Sequence, residues 1–216
     1  MFDLTLSFDN GPDPEVTPRV LDILRARSLR STFFVLGKKL ADPTGRKLAL
    51  KIRADGHRIA NHTFTHSIPL GQNPALDVVQ TEIVATDRLL EEIGTPTRLF
   101  RPFGGGGNLD HRLLKQSVVD HLVAERYSCV LWNSIPRDWA DPEGWVDTAL
   151  DQCQSQPWSL MVLHDLPTGA MDHLELFLDK AEALGARFRE DFPPDCVPIV
   201  DGDIVRPLAG YTSDLA

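Results

Sequence analysis

The first part of the chain contains two patterns of hydrophobic residues, one with the period of a strand and one with the period of a helix. Apolar residues at positions 4, 6 and 8 alternate with polar ones, which predicts a strand, and the Asp-Asn-Gly-Pro-Asp-Pro sequence after it predicts a tight turn. Thr17 in front of Pro18 has the pattern of a helix N-cap, and apolar residues at 20, 21 and 24 fall on one helical face. Residues 31–35 contain a continuous apolar run, as expected for a strand buried on both faces.

Strands and helices continue to alternate along the rest of the chain. Further strands are predicted at 58–60, 98–100, 127–132 and 160–163, and helices at 48–54, 73–93, 111–125, 142–154 and 173–184. The apolar face of the longest helix is assigned to Leu76, Val79, Ile83, Leu90 and Ile93. Repeated strand–helix units favour a parallel α/β sheet, and their number favours a closed or nearly closed barrel over two domains. We therefore predict one domain over residues 1–216, with the loop-rich segment 186–216 closing one end.

Composition and charge exclude several functions. The 31 acidic and 22 basic residues give a formal charge of −9, so we expect no nucleic-acid partner. No apolar run approaches the roughly 20 residues of a membrane helix, so no membrane partner is expected. The first residues lack the basic and apolar regions of a signal peptide, which favours a cytoplasmic location. Cys129, Cys153 and Cys196 are odd in number and widely spaced, so we expect buried apolar fillers instead of disulfides.

Polar side chains follow most of the predicted strands. Because the loops after parallel barrel strands share one face, these side chains are expected to converge. They are Asp9 and Asn10, His62 and His66, Arg101, Asp138, and His164. Two imidazoles four residues apart can bind one metal ion, with an oxygen of Asn10 or Asp9 completing an open site, although such a pair alone is weak support for a metal.

Five motifs in these loops, in chain order, resemble those of one family. Ser7–Asp13 resembles the Thr-Phe-Asp-Asp-Gly-Pro motif of the polysaccharide deacetylase (NodB-homology) family, and Asn61–His66 resembles its His-Ser/Thr-x-x-His metal motif. Phe100–Gly104 is similar to its Arg-Pro loop, Trp132–Trp139 to its Asp-Trp motif, and Leu160–Asp165 to its closing apolar-His motif. The resemblance implies a distorted (β/α) barrel, a divalent metal that is usually zinc, and hydrolysis of N-acetyl groups on amino sugars.

The same resemblance implies roles at the metal. His62, His66 and Asn10 are expected to be its ligands. Asp9 is expected to be the catalytic base, which takes a proton from metal-bound water as that water attacks the amide carbonyl. Arg101 is expected to orient Asp9 and keep it ionised.

Further roles concern the leaving group and the substrate. His164 is expected to be the general acid that protonates the departing amine, with Asp138 holding the imidazole oriented and protonated. Metal and a backbone N–H would stabilise the oxyanion, and the donor is either Phe103 or Gly104, depending on how the Arg-Pro loop is aligned. Trp139 and Val162 are expected to shape the pocket for the acetyl methyl group, although both residue types are also common in a core.

Two positions depart from the family pattern. Asn10 replaces a usual metal-binding aspartate, so metal affinity should fall, although asparagine here also resembles the branch that acts on muramic-acid residues of peptidoglycan. Ile135 stands where related chitooligosaccharide deacetylases often have an aspartate. The leading hypothesis is a metal-dependent deacetylase of chitooligosaccharide or peptidoglycan-type substrates. The alternatives are a catalytically weakened carbohydrate-binding relative and a hydrolase of small cyclic amides on the same fold.

Overall fold

Strands and helices alternate along residues 1–213, the part of the chain that the computed structural model describes. The strands are β1 (Phe2–Asp9), β2 (Thr32–Val35), β3 (Arg58–Asn61), β4 (Leu99–Phe100), β5 (Leu114–Lys115), β6 (Ser128–Cys129), β7 (Trp158–His164), β8 (Ala186–Arg189), β9 (Ile199–Val200), β10 (Asp203–Ile204) and β11 (Thr212–Ser213). The α-helices are α1 (Val16–Ala26), α2 (Gly37–Leu40), α3 (Pro43–Ala54), α4 (Ala85–Glu92), α5 (Gln116–Ala124), α6 (Trp145–Gln154) and α7 (Leu174–Ala183). A π-helix, Val79–Val84, leads directly into α4.

The main sheet is parallel along most of its width and curls into a distorted barrel. Its strand order is β10-β9-β6-β4-β3-β2-β1-β7, and within residues 1–213 only the β6–β9 and β9–β10 pairs are antiparallel. The segment after β6 contacts β7 through Ser134. The Ser134 N–H donates to the Leu160 carbonyl at 3.2 Å, and the Val162 N–H donates to the Ser134 carbonyl at 3.0 Å. This contact brings the two sides of the sheet together and confirms the predicted barrel with outer helices.

The last part of the described chain supplies four strands, β8 to β11. β8 pairs with the first half of β1, from Phe2 to Thr5, and β2 pairs with the second half, from Ser7 to Asp9. β9 pairs with β6, and β11 forms a separate parallel pair with β5. The loop-rich segment predicted at 186–216 thus includes sheet partners, while its role as a closing segment of a single domain stays a prediction.

The first two strands are buried on both faces of the sheet, although β1 alternates apolar and polar residues. Every residue of β1 and β2 is buried, because the sheet has helices outside it and side chains inside the curl. Inside, Phe34, Ala60, Val130, Leu160 and Cys196 pack in one cluster. All three cysteines are buried and unpaired, as the sequence predicted.

The helix predicted over 73–93 is wrong in its first part. Residues 73–75 have no regular structure, residues 76–77 form a turn, the π-helix follows, and regular α-helix begins only at Ala85. Leu76, assigned to the apolar face, is 91% exposed. Helical spacing alone could not separate a stretch of turns and a wider π-turn from an α-helix.

Three other boundaries also differ from the sequence prediction. Residues 111–125 contain β5 before α5, because Leu114 and Lys115 pair with β11, and the strand at 127–132 is regular only over β6. Thr17 does not cap α1, which begins at Val16. The Asp13 carboxylate instead accepts from the Glu15 and Val16 N–H groups, while the Thr17 hydroxyl accepts from the Asp13 N–H at 2.7 Å. Within residues 1–213, no helix combines the length and apolar character needed to cross a membrane.

Candidate active site

The strand ends bring the predicted polar residues to one face of the barrel. Asp9 is the last residue of β1 and lies in register with His164, the last residue of β7. His62 follows β3 directly, and Arg101 follows β4, where its N–H donates to the Asn61 carbonyl at 3.0 Å. Parallel pairing therefore places side chains that are up to 155 positions apart in sequence beside one another.

Asp9 is held by a buried ion pair. One Asp9 oxygen, Oδ1, accepts from Arg101 Nη1 at 2.8 Å, and the same nitrogen also donates to the Ser7 hydroxyl at 2.7 Å. Arg101 is completely buried and lies over the Phe34 ring at 3.9 Å. Burial acts to raise the pKa of the Asp9 carboxyl, but Arg101, His62 and His164 outweigh it and hold this pKa below its usual value. Asp9 is therefore a carboxylate at neutral pH.

The two loop histidines are neutral and adjacent. His62 Nδ1 lies 2.8 Å from the Arg101 carbonyl oxygen and donates to it, which leaves Nε2 as the lone-pair nitrogen, 3.4 Å from Asp9 Oδ2. The His62 and His66 ring centres are 5.0 Å apart. Burial lowers the pKa of both imidazoles, that of His66 to about 3, so each keeps a lone pair available for a metal.

Asn10 offers a third donor beside these imidazoles. Its backbone has a positive φ of 71°, a conformation that asparagine adopts more readily than most residues. Its Oδ1 is buried and has no hydrogen-bond partner within the described chain. An unsatisfied buried amide oxygen is unfavourable unless another group binds it, so the donor set of two imidazoles and one amide oxygen fits a divalent ion. Within residues 1–213 no three His, Cys, Asp or Glu side chains form a metal-binding group, so such a site depends on Asn10.

The first loop approaches the β7 end closely. A Cβ atom added to Gly11 would lie 2.2 Å from the Asp165 carboxylate, so a side chain at this position would displace the loop that carries Asn10. Asp165 is fully buried, accepts from the Thr17 hydroxyl, and has its pKa raised to about 7 by burial.

His164 and Asp138 form the second charged pair. His164 Nδ1 lies 2.8 Å from Asp138 Oδ1, and the His164 backbone N–H donates to the other carboxylate oxygen at 2.9 Å. Burial alone would lower the pKa of His164, but the bond to Asp138 and its charge prevail and raise it. Trp139 packs edge-on against the imidazole, with ring centres 4.7 Å apart. The pair orients His164 and favours its protonated form.

A cavity of about 250 Å³ opens above these groups. Asp9, Asn10, His62, His66 and His164 line it, together with the residues expected to contact substrate, Phe103, Gly104, Trp139 and Val162. Arg101 and Asp138 lie beneath, fully buried, and act on the cavity through Asp9 and His164. Phe103 also stacks on His66, with ring centres 3.9 Å apart.

Further residues line the cavity. The sequence did not assign Trp132, Ile135 and Leu166 to a substrate pocket, whereas Gly106 and Gly107 belong to the run of four glycines at 104–107, which lets the backbone approach a ligand closely. Ile135 packs tightly on Gly107, where an added Cβ would lie 2.7 Å from its Cδ1 atom, and Trp132 Nε1 donates to the Gly107 carbonyl at 3.1 Å. Leu166 follows a strand end by two positions, so the rule that located His164 could also have found it.

The barrel places an ionised carboxylate, two neutral imidazoles and a carboxylate-bound histidine around one cavity, a set of groups suited to acid–base and metal-assisted hydrolysis. A profile of the Polysaccharide deacetylase family matches residues 3–118, more than half of the chain. A chitooligosaccharide deacetylase of Rhizobium leguminosarum bv. phaseoli is 34% identical over 166 residues, which cover 75% of this chain and 67% of that protein.

Two further comparisons agree with this match. A peptidoglycan-N-acetylglucosamine deacetylase of Bacillus cereus is 32% identical over 167 residues, which cover 75% of this chain and 72% of that protein. A solved structure described as T48 deacetylase with substrate superposes with a TM-score of 0.71 at 27% identity, over 89% of this chain and 94% of that one.

The chain belongs to the polysaccharide deacetylase family. It is accordingly a hydrolase that acts on carbon–nitrogen bonds other than peptide bonds.

Proposed function

We propose that this protein removes N-acetyl groups from amino-sugar-containing oligo- or polysaccharides of the chitooligosaccharide or peptidoglycan type. The observation that carries the proposal is the pairing across one cavity of an ionised Asp9 with a His164 whose pKa is raised. Amide hydrolysis needs a base for water and an acid for the amine. Here the pKa of Asp9 is shifted in the direction that favours the ionised base, and the pKa of His164 in the direction that favours the protonated acid.

His62, His66 and Asn10 are the residues that would hold a divalent metal, with Zn²⁺ the ion that their donor set favours. When bound, such an ion would acidify a water molecule and polarise the amide carbonyl. Two observations support this assignment. Both imidazoles are neutral, and the buried Asn10 Oδ1 accepts no hydrogen bond from residues 1–213.

Asp9 acts as the base through Oδ2. Its other oxygen is engaged by Arg101, so Oδ2, which faces His62, is free to accept the proton of the attacking water. Arg101 holds the carboxylate in one rotamer and keeps it ionised within a buried site.

His164 acts as the acid through Nε2. Its Nδ1 is bound to Asp138, so Nε2 carries the proton that moves to the departing amine nitrogen as the carbon–nitrogen bond breaks. Trp139 and Val162 would enclose the acetyl methyl group, and a backbone N–H of Phe103 or Gly104 would stabilise the developing oxyanion.

The experiment is a substrate panel with purified protein and added Zn²⁺. Acetate and free amine are measured after incubation with chitooligosaccharides and peptidoglycan fragments. Ring opening of cyclic ureides and cyclic imides, which releases neither product, is followed by mass spectrometry. Equal amounts of acetate and amine from an N-acetylated sugar support the proposal. A single efficient cyclic substrate would instead establish the cyclic-amide hydrolase.

A carbohydrate-binding relative with weakened catalysis is a second candidate, favoured by the uncharged Asn10 and by Ile135 in the cavity wall. Sugar binding without acetate release in excess Zn²⁺ would support it. Turnover that Asp9→Ala abolishes would exclude it.

A further inference from the structure

The loop that carries both metal-site imidazoles has an unfavourable backbone. Thr63 and His66, both non-glycine residues, have positive φ values of 70° and 53°. This region is a genuine outlier for a β-branched residue such as threonine. The segment from His62 to His66 therefore requires contacts from elsewhere in the chain to keep its shape.

One buried carboxylate binds the middle of this loop. Glu82, only 6% exposed, lies in the π-helix that precedes α4. Its Oε2 accepts from the Phe64 N–H at 3.0 Å and from the Thr65 N–H at 2.8 Å, and its Oε1 accepts from the Thr65 hydroxyl at 2.6 Å. Phe64 and Thr65 lie between His62 and His66 in the sequence, and together they donate three hydrogen bonds to the Glu82 carboxylate.

The start of the loop is held by a separate chain of bonds. The Thr63 N–H donates to Asn61 Oδ1 at 2.9 Å, and Asn61 Nδ2 donates to Asp87 Oδ1 at 2.8 Å. Asp87 lies five residues after Glu82, in the first turn of α4. The π-helix and the first turn of α4 thus supply the two acidic side chains that hold the loop.

The contacts from α2 to the loop engage its carbonyl groups. The Gly37 N–H donates to the Thr63 carbonyl and the Lys38 N–H donates to the Phe64 carbonyl, both at 3.0 Å, and Lys38 Nζ donates to the Thr65 carbonyl at 2.9 Å. Within the described residues, Glu82 is the acceptor for the Phe64 and Thr65 amides. Truncating Glu82 would leave both N–H groups without this acceptor and release the loop from the π-helix.

We propose that Glu82 is a positioning residue that fixes the His62–His66 loop in the shape that lets both imidazoles bind one ion. The inference rests on the proposed metal site. Glu82 acts by accepting hydrogen bonds, so a glutamine at this position should hold the loop equally well. Its amide oxygen can accept from both N–H groups, and its NH₂ group can donate to the Thr65 hydroxyl.

The test compares Glu82→Ala and Glu82→Gln with Glu91→Ala, a control at an exposed acidic residue of the adjoining α4. Zn²⁺ dissociation constants are measured by competition with a chromophoric chelator. Groups that orient metal ligands typically change affinity by about 10- to 100-fold, and we expect that loss for Glu82→Ala. Glu82→Gln should recover most of the affinity, and Glu91→Ala should match the wild type.

A second readout needs no metal. Amide hydrogen exchange at Phe64 and Thr65 should be slow in wild type and Glu82→Gln and fast in Glu82→Ala, at a temperature where all three are folded. Unchanged Zn²⁺ affinity in Glu82→Ala would overturn the proposal, and so would equal losses in the alanine and glutamine variants. A wild type without Zn²⁺ affinity would contradict the metal site itself, whereas slow exchange at both amides in Glu82→Ala would contradict only the role of Glu82.

Discussion

Replacing Asp138 with asparagine isolates what the carboxylate does for His164. Asparagine keeps the size of the side chain and an oxygen that accepts from the His164 N–H, but it removes the charge 2.8 Å from Nδ1. In the wild type this charge and bond outweigh burial and raise the pKa of His164 above 6.5. Once they are gone, burial dominates, and the pKa should fall below that value.

The size of the change follows from the lost bond. A hydrogen bond to a charged group contributes about 1.5–3 kcal/mol, and 1.36 kcal/mol corresponds to a factor of ten in proton affinity, so losing this bond should lower the pKa of His164. The general acid must carry a proton when the amine departs. The basic limb of the kcat/KM profile should therefore move to lower pH, and on that limb kcat/KM should be lower than in the wild type by about 10- to 150-fold.

The assay is free-amine release from a chitooligosaccharide at saturating Zn²⁺, between pH 5 and pH 9. The variant should keep more of its activity at the acidic end than at the basic end. If its basic limb coincides with that of the wild type, His164 is not the acid that Asp138 keeps protonated.

Stability should show the same linkage. Because the folded-state pKa of His164 lies above its unfolded value near 6.5, the pair stabilises the fold fully below that pH and ceases to do so as pH rises through the folded pKa. The destabilisation caused by Asp138→Asn should thus be larger at pH 5.5 than at pH 9 in urea unfolding. A pH-independent difference would contradict this origin.

Three further substitutions test the opposite side of the cavity. Asp9→Asn should lower kcat by about 10²- to 10⁴-fold while equilibrium dialysis still detects bound Zn²⁺, and substantial remaining turnover would remove Asp9 as the base. Asn10→Asp adds a charge to the metal site, so competition titration should give at least about tenfold tighter Zn²⁺ binding, and weaker or equal binding would contradict Asn10 as a ligand. Phe103→Ala removes the ring stacked on His66, a contact that contributes about 0.5–1.5 kcal/mol. Zn²⁺ affinity should therefore fall by up to about tenfold, while kcat at saturating Zn²⁺ should change little. A loss of kcat with unaltered Zn²⁺ affinity would assign Phe103 to substrate binding instead.

Strand ends were the part of this molecule that the sequence predicted best. Asp9, His62, Arg101 and His164 each follow a short apolar run, and parallel pairing brings such positions to one face whatever their separation along the chain. The ordered motifs then associated that face with a family, to which the profile match shows that the chain belongs.

Contacts between side chains from distant elements were not predictable in this way. In the sequence, Glu82 and Asp87 look like ordinary polar positions of an amphipathic helix. No local pattern indicates that Glu82 accepts a hydrogen bond from the Phe64 N–H or that Asp87 accepts one from the Asn61 side chain. Leu76 was misassigned because spacing does not reveal where a helix starts when turns precede it. The Phe103–His66 stack likewise depends on how two loops meet, which composition and period do not encode.

Zinc X-ray absorption on the protein loaded with one equivalent of Zn²⁺ tests the central claim most directly. We expect two histidine nitrogens at about 2.0–2.1 Å with oxygen in the remaining positions, and loss of the imidazole scattering in the His62→Ala/His66→Ala double variant. A spectrum without two imidazoles, or one that the double substitution leaves unchanged, would contradict a metal centre at these strand ends.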